Sequence, residues 1–271
     1  MEKDRARDRL GALRVHPTKK LGQNFLIDAS AVDEIVRFGA PLSEDNLLEI
    51  GPGLGALTKE LYRFPRLTLI EIEENFCLEL QKRYPRANVI NADVRLVDLS
   101  ELGSDLVVFG NLPYAFSSEI VFLLVDSAVA IKRAVLMLQK EFVERLAAKP
   151  GGRDYGVLSI SCQLWAQVRT GPVISGECFH PAAKVDSQLV ELIFSKEPRC
   201  PIPDLFLFKR VVAAAFFKRR RKIGNSIRAS QAFRGLPIEE LLERAGIDPG
   251  RRAETLSIEE YARLCGQFEL G

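Results

Sequence analysis

The chain has 271 residues, 47% hydrophobic and 27% charged, enough apolar material for one large domain or a large and a small one. Its 38 Lys and Arg against 36 Asp and Glu leave a net charge of only +2, a total that argues against a strongly basic nucleic-acid binder. Two histidines, His16 and His180, are too few for a His-based metal site or a Ser-His-Asp triad, and five widely spaced cysteines give neither a disulfide framework nor zinc spacing, so no metal is expected.

No apolar run approaches the ~20 residues of a membrane-spanning helix. The charged N-terminus lacks the apolar stretch of a secretory signal, and its acidic residues count against a transit peptide. Unpaired thiols fit a reducing compartment, so a cytoplasmic location without membrane contact is expected. The distribution of charge departs from its total. From Leu205 to Ile238 there are nine basic residues and no acidic one, which leaves 29 basic and 36 acidic residues elsewhere, a net of −7. An acidic body carries a basic end.

Along the chain, Asn46–Ile50 reads as a buried strand followed by Gly51-Pro52-Gly53-Leu54-Gly55, with a helix starting over Leu57–Tyr62. Leu67–Ile72 is a second strand. Glu74–Tyr84 is a helix with Phe76, Leu80 and Tyr84 on one face. Asn88–Asn91, Leu106–Phe109 and Ala134–Leu138 are further strands, with helices at Ser118–Leu124 and Glu141–Ala148. Apolar strands alternating with helices indicate an α/β fold with a parallel sheet covered on both faces. Tyr155, Leu158, Cys162 and Trp165 fit a helical stripe, with a strand as the alternative, and Val173–Ile174 and Leu189–Phe194 read as later strands. Pro198, Pro201 and Pro203 mark a linker. Beyond it the pattern turns helical over Leu205–Lys218, Ile238–Ala245 and Ser257–Phe268. The expected division is a catalytic domain over 1–200 and a small all-helical domain over 201–271.

The Gly-rich loop ends the first strand, where doubly wound sheets bind ligands. Its glycines permit close backbone approach, and the following helix N-terminus offers free N–H groups. Read as Gly-x-Gly-x-x-Ala with Glu71 twenty residues after Gly51, it matches a dinucleotide fingerprint. An acid ending the second strand requires only a ribose, so NAD and S-adenosylmethionine (SAM) both satisfy it. The longer string from Leu48 to Thr58 resembles the first motif of SAM-dependent methyltransferases. Asp93, just after the third strand, is placed to accept from an adenine amine, although Asp is also a common helix cap.

Asn111-Leu112-Pro113-Tyr114 follows the fourth strand, where a catalytic residue would reach a substrate beside the cofactor. Asn and Pro are ordinary turn residues. The string nevertheless resembles the (Asn/Asp/Ser)-Pro-Pro-(Tyr/Phe) motifs of amino-group methyltransferases. An exocyclic adenine amine is a poor nucleophile because its lone pair is delocalised into the ring. Acceptors such as the Asn111 side-chain carbonyl and a backbone carbonyl near Leu112 would hold its hydrogens and bias the lone pair, and Tyr114 can stack on the base.

With Lys19–Asp28 added, the chain resembles the ribosomal RNA adenine N6-dimethyltransferases. The resemblance continues through Leu138–Arg145, Asp154–Gly156, Phe179–Ser187 and Phe216–Ile227, in family order. It implies a Rossmann-like sheet, with residues 1–28 including a segment that closes over SAM. Gln23, Asn24, Leu26, Gly51 and Gly53 would contact the cofactor. Glu71 with Ile72 would take the ribose, Asp93 with Val94 the adenine, and Asn111 would lie near the methyl. Asn111, Leu112, Pro113 and Tyr114 would form the catalytic turn, and Phe179 would stack on the target base opposite Tyr114. Ala183 replaces a usual Pro, and Ile223-Gly224 replaces a more usual Thr-Leu.

Lys218, Arg219, Arg220, Arg221 and Lys222 could be a solvated helix end. Beside an RNA-modifying core, phosphate contact explains them better. Phe216 and Phe217 are expected in the core. The run Arg219–Lys222 with its following Asn225-Ser226, and the full C-terminal region, resemble the small-subunit enzymes of the family. The implied substrate is 16S rRNA, in the small ribosomal subunit or its precursor, at two adjacent adenosines near its 3′ end; the alternatives are an adenine N6-methyltransferase of large-subunit rRNA and an RNA- or assembly-binding protein with vestigial SAM binding. The protein is expected to act as a monomer.

Overall fold

A computed structural model describes residues 2–13 and 24–268. Helix α1 (Glu2–Ala12) comes first, then strand β1 (Phe25–Leu26) and helix α2 (Ala29–Gly39). Asp28 caps α2 by accepting from the Ala31 N–H at 2.9 Å, and α2 buries Ala31, Val32 and Ile35. Neither α1 nor α2 is among the elements expected from the sequence, although α2 carries an apolar stripe through Ala31, Val32, Ile35 and Gly39.

Alternation then begins: β2 (Asn46–Ile50), α3 (Thr58–Leu61), β3 (Leu67–Glu71), α4 (Glu74–Arg83), β4 (Asn88–Asn91), β5 (Leu106–Asn111), α5 (Ser117–Asp126), β6 (Ile131–Gln139) and α6 (Lys140–Ala147). Helix α7 (Val157–Trp165) runs into β7 (Ala166–Ile174), followed by β8 (Phe179–His180) and β9 (Ser187–Phe194). The main sheet has the order β4-β3-β2-β5-β6-β9-β7, parallel from β4 to β6 and antiparallel at β9 and β7. Leu106–Gly110 of the central β5 is wholly buried, which is why the central strands read as unbroken apolar runs. β1 and β8 form a separate antiparallel pair, with Leu26 opposite Phe179. Among the described residues no helix is long and apolar enough to cross a membrane.

The chain divides into two compact units. The first comprises residues 1–143 and 166–196 and holds the sheet. Its core includes Leu47, Leu69, Phe76, Val107 and Phe109, with Ala6 and Leu10 of α1. The second comprises residues 144–165 and 197–271. It contains α7 and the helices α8 (Leu205–Phe216), α9 (Ile223–Ala229), α10 (Ile238–Arg244) and α11 (Ile258–Cys265). The division therefore differs from the expected 1–200 and 201–271, because Tyr155, Ile160 and Leu164 pack into one core with Phe208, Val211 and Tyr261. A boundary placed on prolines misses a helix whose apolar stripe belongs beyond them.

Candidate active site

β2 is followed outward by β3 and β4 on one side, and β5 by β6 on the other. The ends of β2 and β5 thus flank the point where strand order reverses, the place where such sheets open a ligand crevice. The Gly-rich loop leaves β2 there, and Asn111 ends β5. Between them lies a cleft with about 1140 Å³ of empty space, its mouth included.

Glu71, at the end of β3, shapes one wall. Its carboxylate accepts from the Gly53 N–H at 2.9 Å and the Glu73 N–H at 3.0 Å, tying the Gly-rich loop to the turn into α4. Gly53 has φ +52°, and a Cβ there would meet the Phe25 ring at 3.1 Å, so the loop needs glycine. Glu71 is only 5% exposed, which excludes a surface role. Burial raises its pKa, against the opposing pull of the Glu73 and Gly53 N–H groups.

Glu49 lies one residue before the end of β2 and also lines the cleft. It is fully buried, and its Oε2 accepts from Thr58 Oγ1 at 2.7 Å. Burial, with repulsion from Glu71 adding to it, pushes its pKa up to about 8. The motif string from Leu48 to Thr58 contains this residue without giving it a role, and a lone acid inside the apolar β2 run is a visible signal.

Beyond the end of the neighbouring β4, Asp93 caps a 3-10 turn over Val94–Leu96, so the plain capping role is real. It does more than cap. The Arg95 guanidinium donates to both carboxylate oxygens through Nε at 3.0 and 3.1 Å and through Nη2 at 2.6 Å. Arg95 holds the Asp93 pKa below the usual carboxylate range. The same guanidinium pairs with Glu119 of α5 and lies 4.2 Å from the Phe116 ring centre. Arg95 thereby joins the β4 side of the cleft to the turn after β5. The sequence gives no reason to single it out, because its partners are 2, 21 and 24 positions away.

Asn111 Nδ2 donates to the Asn24 carbonyl at 3.1 Å. A backbone carbonyl only accepts, so this contact fixes the amide's orientation and leaves Oδ1 without a hydrogen bond among the described residues. Tyr114 Oη and Ser187 Oγ share a hydrogen bond of 2.8 Å, which anchors the ring at the rim. The Pro113 carbonyl accepts from the Phe116 N–H at 3.0 Å and from Ser117 Oγ at 3.2 Å, closing the turn into α5.

The structure brings most of the expected residues together. Asn24, Leu26, Gly51, Gly53, Glu71 and Ile72 line this cleft, as do Asp93, Val94 and the turn from Asn111 to Tyr114. Gln23 lies outside the described residues. Phe179 departs from its expected place against the target base. It is 0% exposed and does not line the cleft, because the β1–β8 pairing seats it in the core with Phe25 and Leu10. The donor set fits SAM: two carboxylates at the ends of adjacent strands, an apolar Ile72 left 48% exposed, and a Gly-rich turn. Glu71 would accept from the ribose, Asp93 from the adenine amine, and Ile72 and Val94 would face the ring.

In the second unit, Lys218 to Lys222 join α8 to α9, and all five side chains are exposed. Ser226, wholly buried, accepts from the Lys218 N–H at 2.9 Å and donates to the Ala214 carbonyl at 3.0 Å, so it braces the basic turn from beneath. Arg219 donates to the Arg153 and Tyr155 carbonyls and is partly structural. Arg220 and Arg221 make no such side-chain bond among the described residues. Of the two phenylalanines expected in the core, Phe216 packs beside Tyr261, whereas Phe217 is 56% exposed. Phe217 caps α8 and extends its outer face, which periodicity over this short helix does not reveal.

A family model for ribosomal RNA adenine dimethylase matches residues 16–268. A ribosomal RNA small subunit methyltransferase A of Desulforapulum autotrophicum is 44% identical, covering 91% of this chain and 90% of its own. The protein of that name from Syntrophotalea carbinolica is 43% identical over 92% of this chain and 95% of its own. A Plasmodium falciparum dimethyladenosine transferase structure shares the fold, with TM-score 0.75 and 24% identity over 89% of this chain and 95% of that one. The 23S rRNA methyltransferase ErmE structure has TM-score 0.67 and 25% identity, covering 90% and 99%.

Glu49 yields a test of the site's electrostatics. A carboxyl that is protonated when folded and ionised when unfolded makes unfolding release a proton. Its contribution to stability therefore declines as pH rises from the ordinary carboxylate range to about 8, and is level above that. Glu49→Gln removes this dependence. Denaturant titrations should show the variant gaining on the native chain between pH 5 and pH 8, by up to about 1.4 kcal/mol per pH unit. A pH-independent difference would contradict a neutral Glu49.

Proposed function

The chain belongs to the ribosomal RNA adenine dimethylase family, and from that membership we propose that it dimethylates the N6 amines of two adjacent adenosines near the 3′ end of 16S rRNA. It is a SAM-dependent methyltransferase of small-subunit rRNA. The observation that carries the residue-level reading is the fixed amide of Asn111 at the switch point, whose Oδ1 accepts no hydrogen bond among the described residues. The choice of subunit rests on 37–44% identity to small-subunit enzymes, against 25% to a large-subunit one. The chain acts in the cytoplasm, as a monomer, on the small subunit or its precursor.

Bound SAM supplies a methyl group on a sulfonium, so the leaving group needs no acid. The protein's task is placement. Asn111 Oδ1 accepts an amine hydrogen and turns the nitrogen lone pair out of conjugation, and the carbonyl at Leu112 takes the second hydrogen. Tyr114, held by Ser187, forms the aromatic wall against which the base stacks. Phe179 is buried behind the cleft before RNA binds, and reaching the base would require the β1–β8 pair to shift. No histidine or metal is required to move a proton, since the methylated amine is acidified and loses its proton to solvent. The target adenine must leave its stack to reach Asn111, so RNA docking by shape and base extrusion accompany each transfer.

Incubation with labelled SAM should label unmodified small ribosomal subunits and not large ones, and digestion should yield N6,N6-dimethyladenosine. Asn111→Ala should lower the rate by about a hundredfold or more while leaving SAM affinity within a few-fold. Label confined to the large subunit would overturn the substrate, and full activity of the variant would overturn the role of Asn111. Replacing Arg220 and Arg221 by Gln should weaken RNA binding and flatten its salt dependence, with SAM affinity unchanged. The slope of log affinity against log salt should fall by about one for each phosphate no longer neutralised. An unaltered slope would remove the basic turn from the RNA interface.

A further inference from the structure

Helix α8 has two unlike faces. One buries Phe208, Val211, Val212 and Ala215. The other presents Phe206, Arg210, Ala213 and Phe217 in a line at helical spacing, all exposed. Phe206 is 69% exposed and Phe217 56%. They stand eleven residues apart, about 16 Å along the axis, with only the methyl of Ala213 between Arg210 and Phe217.

Each exposed ring has its own cation. The Arg210 guanidinium lies 5.5 Å from the Phe206 ring centre and 5.6 Å from that of Phe233, and it donates to the Ala232 carbonyl at 3.5 Å. The Lys218 ammonium lies 4.8 Å from the Phe217 ring centre. No acidic residue occurs between Leu205 and Ile238 to offset these charges.

We propose that this outer face of α8 is a stacking surface for unpaired bases of the rRNA substrate, built from residues other than those of the methyl-transfer cleft and sharing only Lys218 with the phosphate-binding turn at Lys218–Lys222. The proposal rests on the RNA reading above and adds a second mode of contact to it. A partner must satisfy apolar rings and cations at the same positions. A purely apolar protein surface would strip water from Arg210 and Lys218 without compensation. An unpaired nucleotide meets both demands, with its base on the ring and its phosphate beside the cation. Stacking is indifferent to base identity, so the surface contributes affinity and orientation, while the adenine is chosen at Asn111.

The test compares binding of an oligouridylate with that of an abasic strand of equal length, across a range of salt. The native chain should prefer the base-bearing strand by about tenfold. Phe206→Ala with Phe217→Ala should abolish that preference and leave the salt slope unchanged, since every cation stays in place. The paired Leu substitutions should abolish it too, and the paired Tyr substitutions should retain it. A preference that survives the Ala pair, or that the Leu pair retains, overturns stacking. A native dimer in sedimentation that the Ala pair dissociates would assign the face to a second copy of the chain and overturn the proposal. Labelling of small subunits by the native chain, measured in parallel, separates failure of this surface from failure of the substrate reading.

Discussion

The cleft depends on one buried carboxylate. Glu71 ends β3 and commits its two oxygens to the N–H groups of Gly53 and Glu73, so that one side chain sets both the loop after β2 and the entry to α4. Burying a carboxylate is costly, and these two donors offset the cost. Glu49 sits close behind and carries a single side-chain donor, Thr58, which is why burial lifts it further from its ordinary range. Two acids in one apolar wall cannot both be charged cheaply. Leaving Glu49 neutral keeps Glu71 available as an acceptor toward the crevice.

The end of the neighbouring β4 follows the same logic with a different solution. Asp93 is held ionised by Arg95, and Arg95 also touches Phe116 and Glu119 beyond the catalytic turn. The Asp93 end of the cleft and the turn that follows Asn111 are therefore mechanically joined. Asn111 is oriented from a third direction by the carbonyl of Asn24, at the start of the second described stretch of chain. The amide is thus held by the Asn24 carbonyl, and the turn that follows it is tied to Asp93 through Arg95. Methyl transfer needs placement more than acid–base chemistry, and this cross-bracing supplies it.

The sheet was legible because buried parallel strands are continuous apolar runs, and Leu47–Ile50 and Leu106–Gly110 are wholly buried. The Gly-rich loop, Glu71, Asp93 and Asn111 were legible because each ends or follows such a strand. What escaped was set by tertiary contact. Residues 144–165 join the helical unit through Tyr155 and Leu164, which a proline-based boundary cannot show. Phe179 follows family order in sequence, yet the β1–β8 pairing turns it into the core. Phe217 is apolar and on that ground internal, but the helix surface on which it stands gives it to solvent. The charge asymmetry survives in sharper form: the basic stretch includes an exposed turn braced by Ser226, with Arg219 partly committed to the fold.

The central claim is that Glu71 holds the loop and receives the cofactor with the same carboxylate. Calorimetric titration of SAM into the native chain and into Glu71→Gln tests it most directly. The account predicts that the variant still unfolds cooperatively and binds at least about tenfold more weakly, because the amide loses acceptor capacity toward both the N–H groups and the ribose. Equal affinity in a folded variant would contradict it.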